Sequence, residues 1–289
     1  MNNSKAEIKT IAVIGAGTMG QGIAQVFASG GFEVLLFDAN PTLPTSAKAN
    51  IERGLDGLVQ KGKLNEQLKT ATLQKIHPIQ NQDELKADLL IEAIVENLTI
   101  KQNLFQSLQK QNSSDTILCT NTSSLSVTQI FSLCERQERC LGVHFFNPAQ
   151  VMKLVELISG EKTDHSVVET VSQLLKQLGK ITVTAKDSPG FIVNRVARHY
   201  YLESLKILEE GGATIEEIDS LLKSSGFKMG PFELMDLIGI DVNLAVSTAV
   251  YEGFNQNPKY KPSPIQIQKV KDGHLGRKTG KGFYDYQKI

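Results

Sequence analysis

The sequence predicts a two-domain α/β protein, with an N-terminal doubly wound domain followed by an all-helical C-terminal domain. Three observations predict this fold class. Short apolar runs alternate with amphipathic stretches from Ile8 to about Ala185. After Ala185 the pattern becomes helical, without further strand-like runs. The length of 289 residues also favours two domains over one.

The apolar runs are typical of strands, and the stretches between them are typical of crossover helices in a largely parallel sheet. The run IKTIAVI is followed by the helical TMGQGIAQVFASGG, by the strand EVLLFD and by a polar helical stretch that ends near Lys61. Five further strand-like runs follow, namely ADLLIEAI, TILCT, RCLGVHFF, VMKLVELI (151–158) and ITVTA.

Helix signals mark the C-terminal part. Ser188 and Pro189 are predicted to supply the N-cap and first-turn proline of a helix that runs to about Glu210. A second helix is predicted to start at Thr214, with Glu217 completing a capping box. We place the boundary near residue 187, so the predicted domains are 1–187 and 188–289.

Composition excludes several classes of protein. The chain has 31 Lys plus Arg and 31 Asp plus Glu, and this balance argues against a dedicated nucleic-acid binder. Its three cysteines lack CxxC spacing, so neither a disulfide framework nor a zinc site is predicted, and no metal is expected. The N-terminus lacks the features of a signal peptide or a membrane span. We therefore expect a soluble cytoplasmic protein without a membrane partner.

A glycine-rich turn follows the first predicted strand and opens the first helix. The sequence GAGTMG matches G-x-G-x-x-G, the dinucleotide-binding turn of Rossmann-type domains, and supplies the predicted cofactor contacts Gly15, Ala16, Gly17, Thr18, Met19 and Gly20. The amides at the start of such a helix bind a pyrophosphate. A purely structural glycine turn is the alternative.

Asp38 ends the second predicted strand, where such domains carry a carboxylate for the adenosine ribose. A carboxylate repels a 2′-phosphate, and the following Ala39, Asn40 and Pro41 include no arginine to neutralise one. The predicted cofactor is therefore NAD and not NADP. A solvated aspartate at a strand end is the alternative.

Glu156 is an anomaly, because it stands between Val155 and Leu157 in a run that is apolar on both faces. A buried carboxylate must be paired or neutral. His144 ends the preceding strand-like run and is a candidate partner. If it pairs with Glu156, the imidazole of His144 is suited to act as a general base. A core histidine bonded to backbone and an unrelated structural glutamate remain equally open. NTSS (121–124) follows another strand, where it either binds ligand or caps a helix.

These residues resemble one family over nearly the whole chain, the short-chain L-3-hydroxyacyl-CoA dehydrogenases, which include the 3-hydroxybutyryl-CoA dehydrogenases. The resemblance lies in IAVIGAGTMGQGIAQ, EAIVEN, NTSSL, VHFFNPAQVMKLVE, DSPGFIVNR, GPFELMDLIGID and RKTGKGFYDY. It implies NAD-dependent reversible oxidation of a (3S)-3-hydroxyacyl-CoA, with 3-hydroxybutyryl-CoA as the expected substrate.

The resemblance also implies roles for individual residues. The catalytic set is Ser123, His144, Glu156 and Asn194, with the histidine and the glutamate paired. NAD is expected to contact residues 15–20, Asp38, Glu96, Lys101, Ser123, Asn147 and Lys278. The acyl-CoA is expected to contact Ser123, Asn194, Lys61 and position 54, where the family often has a serine and this chain has Gly54.

Alternatives to these roles remain. Asn194 can be a helix residue facing water, and Lys61 can be a solvated charge at a helix end. The C-terminal helices carry more apolar residues than one small core needs. The resemblance implies that this surplus forms a homodimer interface, and simple core packing is the alternative. Rival functions are a dehydrogenase of the same superfamily acting on a free hydroxy acid such as a sugar acid or carnitine, a non-catalytic NAD-binding or structural relative, and a CoA-binding module.

Overall fold

A computed structural model describes residues 8–286 of the chain. The chain divides into two compact units between Ser188 and Pro189. The N-terminal unit contains an eight-stranded sheet with helices, and the C-terminal unit, as far as residue 286, is built from helices and short turns. The predicted fold class is confirmed.

The strands of the N-terminal unit are short and mostly buried. They are β1 (Thr10–Ile14), β2 (Glu33–Phe37), β3 (Ile76–Ile79), β4 (Leu89–Glu92), β5 (Ile117–Thr120), β6 (Cys140–Phe145), β7 (Leu154–Ser159) and β8 (Ile181–Lys186). Their order in the sheet is β3-β2-β1-β4-β5-β6-β7-β8. All neighbours pair in parallel except β6 and β7, which are antiparallel.

The helices of this unit connect successive strands. They are α1 (Thr18–Ser29), α2 (Leu43–Gln60), α3 (Glu66–Gln74), α4 (Leu98–Gln111), α5 (Val127–Ile130) and α6 (His165–Gln177). A core that includes Phe27, Leu36, Ile91 and Leu175 packs helices against the sheet. The strand order reverses between β1 and β4, and in open α/β sheets ligands bind outside the carboxyl ends of the strands at such a point.

One predicted strand is corrected at its start, and two elements were missed. The strand predicted over 151–158 begins at Leu154, because the amides of Val151 and Met152 donate to the carbonyl of Pro148 in a turn. Neither α3 nor β3 was predicted. The sequence of β3, IHPI, contains Pro78, which a strand tolerates here because β3 is at the edge of the sheet.

The helices of the C-terminal unit are α7 (Val193–Glu209), α8 (Ile215–Ser224), α9 (Pro231–Ile238), α10 (Ile240–Gly253) and α11 (Pro264–Lys271). They enclose a separate core that includes Leu205, Phe232, Met235 and Ile240. The predicted capping box of α8 is confirmed, because Thr214 and Glu217 exchange side-chain to backbone hydrogen bonds.

The predicted start of α7 at Ser188 and Pro189 is wrong. The helix begins at Val193, because Gly190 and Phe191 adopt positive φ angles of 73° and 48°, which a right-handed helix cannot contain.

Within the part of the chain that the structure describes, no single helix is long and apolar enough to cross a membrane. Among the helices of residues 8–286, only α9 and α10 taken together pass that test, and the chain bends by 101° between them.

Candidate active site

The glycine-rich loop joins β1 to α1, and its three glycines have different surroundings. Gly15 has a φ of 105°, and a Cβ there would overlap the carbonyl of Ala93. A Cβ on Gly20 would overlap the carbonyl of Gly15, so this glycine lets helix and loop approach closely. A Cβ on Gly17 would meet no protein atom within 4 Å. The loop therefore leaves space at the position where a pyrophosphate approaches the backbone.

The amides that open α1 fit an anion. Gly17 is the N-cap of the helix and supplies no side-chain cap, so the first turn directs N–H groups outward. Beside the loop, the carboxylate of Asp38 accepts hydrogen bonds from the amides of Ala16, at 2.8 Å, and Asn40, at 2.9 Å. These contacts fix the partly buried Asp38 next to the glycine loop. The residues present fit NAD.

Glu96 organises the NTSS loop that follows β5. Its Oε1 accepts hydrogen bonds from Thr122 Oγ1 at 2.6 Å and from the amides of Ser123 and Ser124 at 3.0 and 3.2 Å. Its Oε2 lies 3.0 Å from the ammonium of Lys101. Burial alone would raise the pKa of Glu96, but the Lys101 charge and the Thr122 bond outweigh burial and lower it. The structure thus brings Glu96, Lys101 and Ser123 together.

Glu92 is a buried residue of this network that the sequence analysis missed. It ends β4 and is fully buried, and its Oε1 accepts from Lys101 Nζ at 2.6 Å and from the amide of Ile94 at 2.7 Å. Its Oε2 accepts from Thr120 Oγ1 at 2.7 Å. A signal existed, because Glu92 stands in the apolar run LLIEAI just as Glu156 stands in LVELI.

The structure places His144 on β6 directly opposite Glu156 on β7 in the antiparallel register. Side chains at opposite positions lie on one face of the sheet. His144 Nδ1 is 2.8 Å from Glu156 Oε2, and the two residues are 5% and 1% exposed. The ring of Phe146 packs against that of His144, with centroids 4.5 Å apart. The carboxylate therefore fixes the imidazole orientation and can stabilise its protonated form.

Other predicted contacts of the N-terminal unit are exposed. Asn147 lies in the loop between β6 and β7 and precedes a cis proline, Pro148. Gly54 and Lys61 are both exposed, with Gly54 inside α2 and Lys61 at its C-cap. They are separated by two helical turns and so share one side of the helix.

The two predicted site residues of the C-terminal unit lie in different places within it. Asn194 is partly buried in the first turn of α7, where its carbonyl accepts a hydrogen bond from Arg198 Nε at 3.1 Å. Lys278 is paired with Asp241, its Nζ 2.7 Å from Oδ2. Burial of Asp241 opposes its ionisation, but the Lys278 bond outweighs burial and lowers the pKa of Asp241.

The described residues contain no group of three or more His, Cys, Asp or Glu that could hold a metal ion. The cysteines Cys119, Cys134 and Cys140 are free and buried.

Family models match both units. Residues 10–188 match the NAD binding domain of 3-hydroxyacyl-CoA dehydrogenase, and residues 190–286 match the C-terminal domain of the same enzyme. These matches confirm the predicted cofactor, NAD, and the predicted enzyme class, an NAD-dependent oxidoreductase.

Curated relatives and solved structures agree. The chain is 46% identical over 282 residues to the 3-hydroxyadipyl-CoA dehydrogenase of Escherichia coli, covering 97% of this chain but only 59% of that protein. It is 43% identical to the 3-hydroxybutyryl-CoA dehydrogenase of Clostridioides difficile, covering 96% of this chain and 99% of that one. The crystal structure of (S)-3-hydroxybutyryl-CoA dehydrogenase from Ralstonia eutropha is 40% identical with a TM-score of 0.92, covering 97% of this chain and all of that one. The chain belongs to the 3-hydroxyacyl-CoA dehydrogenase family.

Proposed function

We propose that this protein catalyses the reversible oxidation of a (3S)-3-hydroxyacyl-CoA to the 3-ketoacyl-CoA with NAD. The buried contact between His144 and Glu156 carries the proposal, because a histidine oriented by a carboxylate is suited to take the proton of a hydroxyl group. Membership of the family supports the class of reaction.

In the oxidative direction His144 removes the proton of the C3 hydroxyl as the C3 hydride leaves. NAD, when bound, accepts that hydride. Because Nδ1 faces Glu156, we assign the base to Nε2 on the other side of the ring. Glu156 holds the ring in one tautomer and stabilises the imidazolium that forms. In the reductive direction the same imidazolium returns the proton to the oxygen at C3.

Ser123 and Asn194 are proposed to hold the reacting oxygen or the thioester carbonyl. Glu96 supports the role of Ser123. Its carboxylate accepts a hydrogen bond from the Ser123 amide and so fixes the loop that carries the Ser123 hydroxyl. Asn194 stands in the first turn of α7. Its side-chain amide is a hydrogen-bond donor of the kind that can bind an oxygen of the substrate.

Cofactor and CoA contacts follow the sequence-based assignment. NAD is proposed to contact residues 15–20, Asp38, Glu96, Lys101, Ser123, Asn147 and Lys278. The space beside Gly17 and the fixed Asp38 carboxylate support this binding mode. Lys61 and Gly54 are proposed to face the nucleotide end of CoA, and their exposure on one side of α2 supports this.

The names of the relatives indicate two kinds of acyl group, one that ends in a methyl, as in 3-hydroxybutyryl-CoA, and one that ends in a carboxylate, as in 3-hydroxyadipyl-CoA. Both place the hydroxyl at C3, so the mechanism at His144 is the same.

We further propose a cytoplasmic homodimer that pairs through its C-terminal unit and binds neither nucleic acid nor membrane. Free buried cysteines support a reducing compartment. Exposed apolar side chains of the C-terminal unit, including those of Val196, Leu221 and Phe227, support pairing.

The reaction is tested by following NADH oxidation with acetoacetyl-CoA and, separately, with free acetoacetate. We expect turnover with the thioester and at most about 1% of that rate with the free acid, because binding energy from the CoA portion assists catalysis. Preference for the free acid would indicate another dehydrogenase of the superfamily. NADH binding without turnover of either compound would indicate a non-catalytic relative.

A further inference from the structure

Arg198 on α7 is a buried cation without a carboxylate partner. The residue is 3% exposed, and within residues 8–286 no carboxylate forms an ion pair with it. Its Nη1 donates to Asn243 O at 3.0 Å, Asn243 Oδ1 at 3.2 Å and Ser247 Oγ at 2.8 Å. These acceptors are neutral, so they satisfy hydrogen bonds without balancing the charge.

The second terminal nitrogen of the guanidinium, Nη2, donates no hydrogen bond to any of the described residues. It is also absent from the set of fully enclosed polar atoms without a partner, so it is not completely enclosed. Its two N–H groups are therefore available to an anion that reaches this point. The ring of Tyr201 packs on the guanidinium, 4.9 Å from its centre, and holds its plane.

This arrangement is costly unless an anion completes it. Burial lowers the pKa of Arg198 to about 10, so the group still carries its charge near neutral pH. An apolar side chain of similar length would join α7 to α10 without the cost of desolvating a charge. The positive charge itself is thus the feature that needs an explanation.

The position of Arg198 indicates which part of a ligand it meets. It follows Asn194 by one helical turn, so the two residues share a side of α7 and are about 6 Å apart along the axis. The phosphates of CoA and NAD are assigned to Lys61 and to the glycine loop. An anion that meets Arg198 must therefore belong to another part of the substrate. That part is the end of the acyl chain, a few carbons beyond the atoms that Asn194 is proposed to contact.

We propose that Arg198 binds the terminal carboxylate of a dicarboxylic acyl chain, and that the preferred substrates are 3-hydroxyacyl-CoA thioesters whose acyl group ends in a carboxylate. This inference rests on the proposed function and narrows its substrate class. A guanidinium suits the task because it presents paired N–H donors to a planar carboxylate.

The unaltered protein gives the first test. NADH oxidation is measured with 3-oxoadipyl-CoA and with 3-oxohexanoyl-CoA, which have the same number of acyl carbons and differ in ending with a carboxylate or a methyl. We expect kcat/KM to be at least about tenfold higher for the dicarboxylic thioester, because a buried charged hydrogen bond discriminates by that factor or more. Equal values, or a preference for 3-oxohexanoyl-CoA, would overturn the inference while leaving the proposed function intact. Turnover of neither thioester would overturn the proposed function itself.

Substitution at Arg198 gives the second test. Arg198→Met should lower the ratio of kcat/KM for 3-oxoadipyl-CoA to kcat/KM for 3-oxohexanoyl-CoA by at least about tenfold. Arg198→Lys should keep part of the preference, because it retains the charge without the planar donor pair. A purely structural role predicts equal losses on both thioesters, and that result would contradict the inference. If Arg198→Met fails to fold, the inference is still tested by the ratio of the two kcat/KM values in Arg198→Lys and in the unaltered protein.

Discussion

Gly17 differs from the other two glycines of the predicted dinucleotide-binding turn. An added Cβ would meet no protein atom within 4 Å, whereas a Cβ on Gly15 or Gly20 would overlap backbone. The fold therefore requires glycine at positions 15 and 20, but not at 17. We propose that glycine is needed at position 17 for the close approach of a pyrophosphate.

Gly17→Ala should accordingly separate folding from cofactor binding. We expect the thermal midpoint to stay within about 2 °C, since the methyl group meets empty space, and the Kd of NADH to rise at least about tenfold. Fluorescence titration and thermal denaturation measure the two effects. Gly57→Ala, which also adds a methyl group to open space but lies inside α2, is the control for NADH binding and should leave the Kd of NADH unchanged. Its thermal midpoint should stay the same or rise, because alanine is more favourable than glycine inside a helix. Unchanged NADH affinity in Gly17→Ala would contradict the assignment of the glycine loop to NAD binding.

Glu92 supports the site from inside the sheet. Glu92→Gln should lower the free energy of unfolding by about 2 kcal/mol or more, because it leaves the buried ammonium of Lys101 with one carboxylate in place of two. Urea denaturation measures the loss. Glu33→Gln is the matched control, since Glu33 pairs with Lys75 at the surface and should contribute much less. Equal losses of unfolding free energy in the two variants would contradict a larger contribution from the buried ion pair.

At the scale of elements, the N-terminus of α8 was predicted in detail because capping depends on neighbouring residues alone. Glu217 accepts hydrogen bonds from the Thr214 amide and hydroxyl, and these bonds lower its pKa below the ordinary value of 4.5. A lowered folded-state pKa means that the stabilisation is complete above the unfolded-state pKa and is lost as the pH falls through the folded-state value.

The difference in thermal midpoint between the unaltered protein and Glu217→Gln should therefore be constant above about pH 6 and shrink below about pH 4.5. Circular dichroism melts across this range measure it. Glu216→Gln, in the same first turn but outside the capping box, controls for the general effect of a first-turn charge. A difference independent of pH would exclude the carboxylate as the capping group.

The elements that the sequence did not predict depend on distant contacts. The strand β3 is short and contains Pro78, and only its place at the sheet edge makes that proline tolerable. A different reason applies to α7: Ser188 and Pro189 have the residue types of a helix start, but the positive φ angles at Gly190 and Phe191 delay the helix to Val193. The pairing of His144 with Glu156 needed the register of β6 and β7, which the spacing alone left open.

At the scale of the whole molecule, the C-terminal unit exposes large apolar side chains in the single chain. Leu221 is 68% exposed and Phe227 51% exposed. If this surface pairs two chains, Leu221→Glu should convert a dimer into a monomer, because a buried unpaired carboxylate opposes association. Sedimentation velocity measures the change. Leu68→Glu, at a residue 56% exposed in α3 of the N-terminal unit, is the control and should leave the dimer intact. A monomeric unaltered protein, or a dimer that survives Leu221→Glu, would contradict the proposed interface.

The central claim is that His144 is the base of an NAD-dependent hydroxyacyl-CoA dehydrogenase, and the turnover of His144→Gln with acetoacetyl-CoA and NADH tests it most directly. Glutamine keeps a polar side chain opposite Glu156 but cannot carry the proton, so kcat should fall at least about a hundredfold while the Kd of NADH stays within about twofold. Turnover within a few fold of the unaltered protein, with unchanged NADH binding, would contradict the claim.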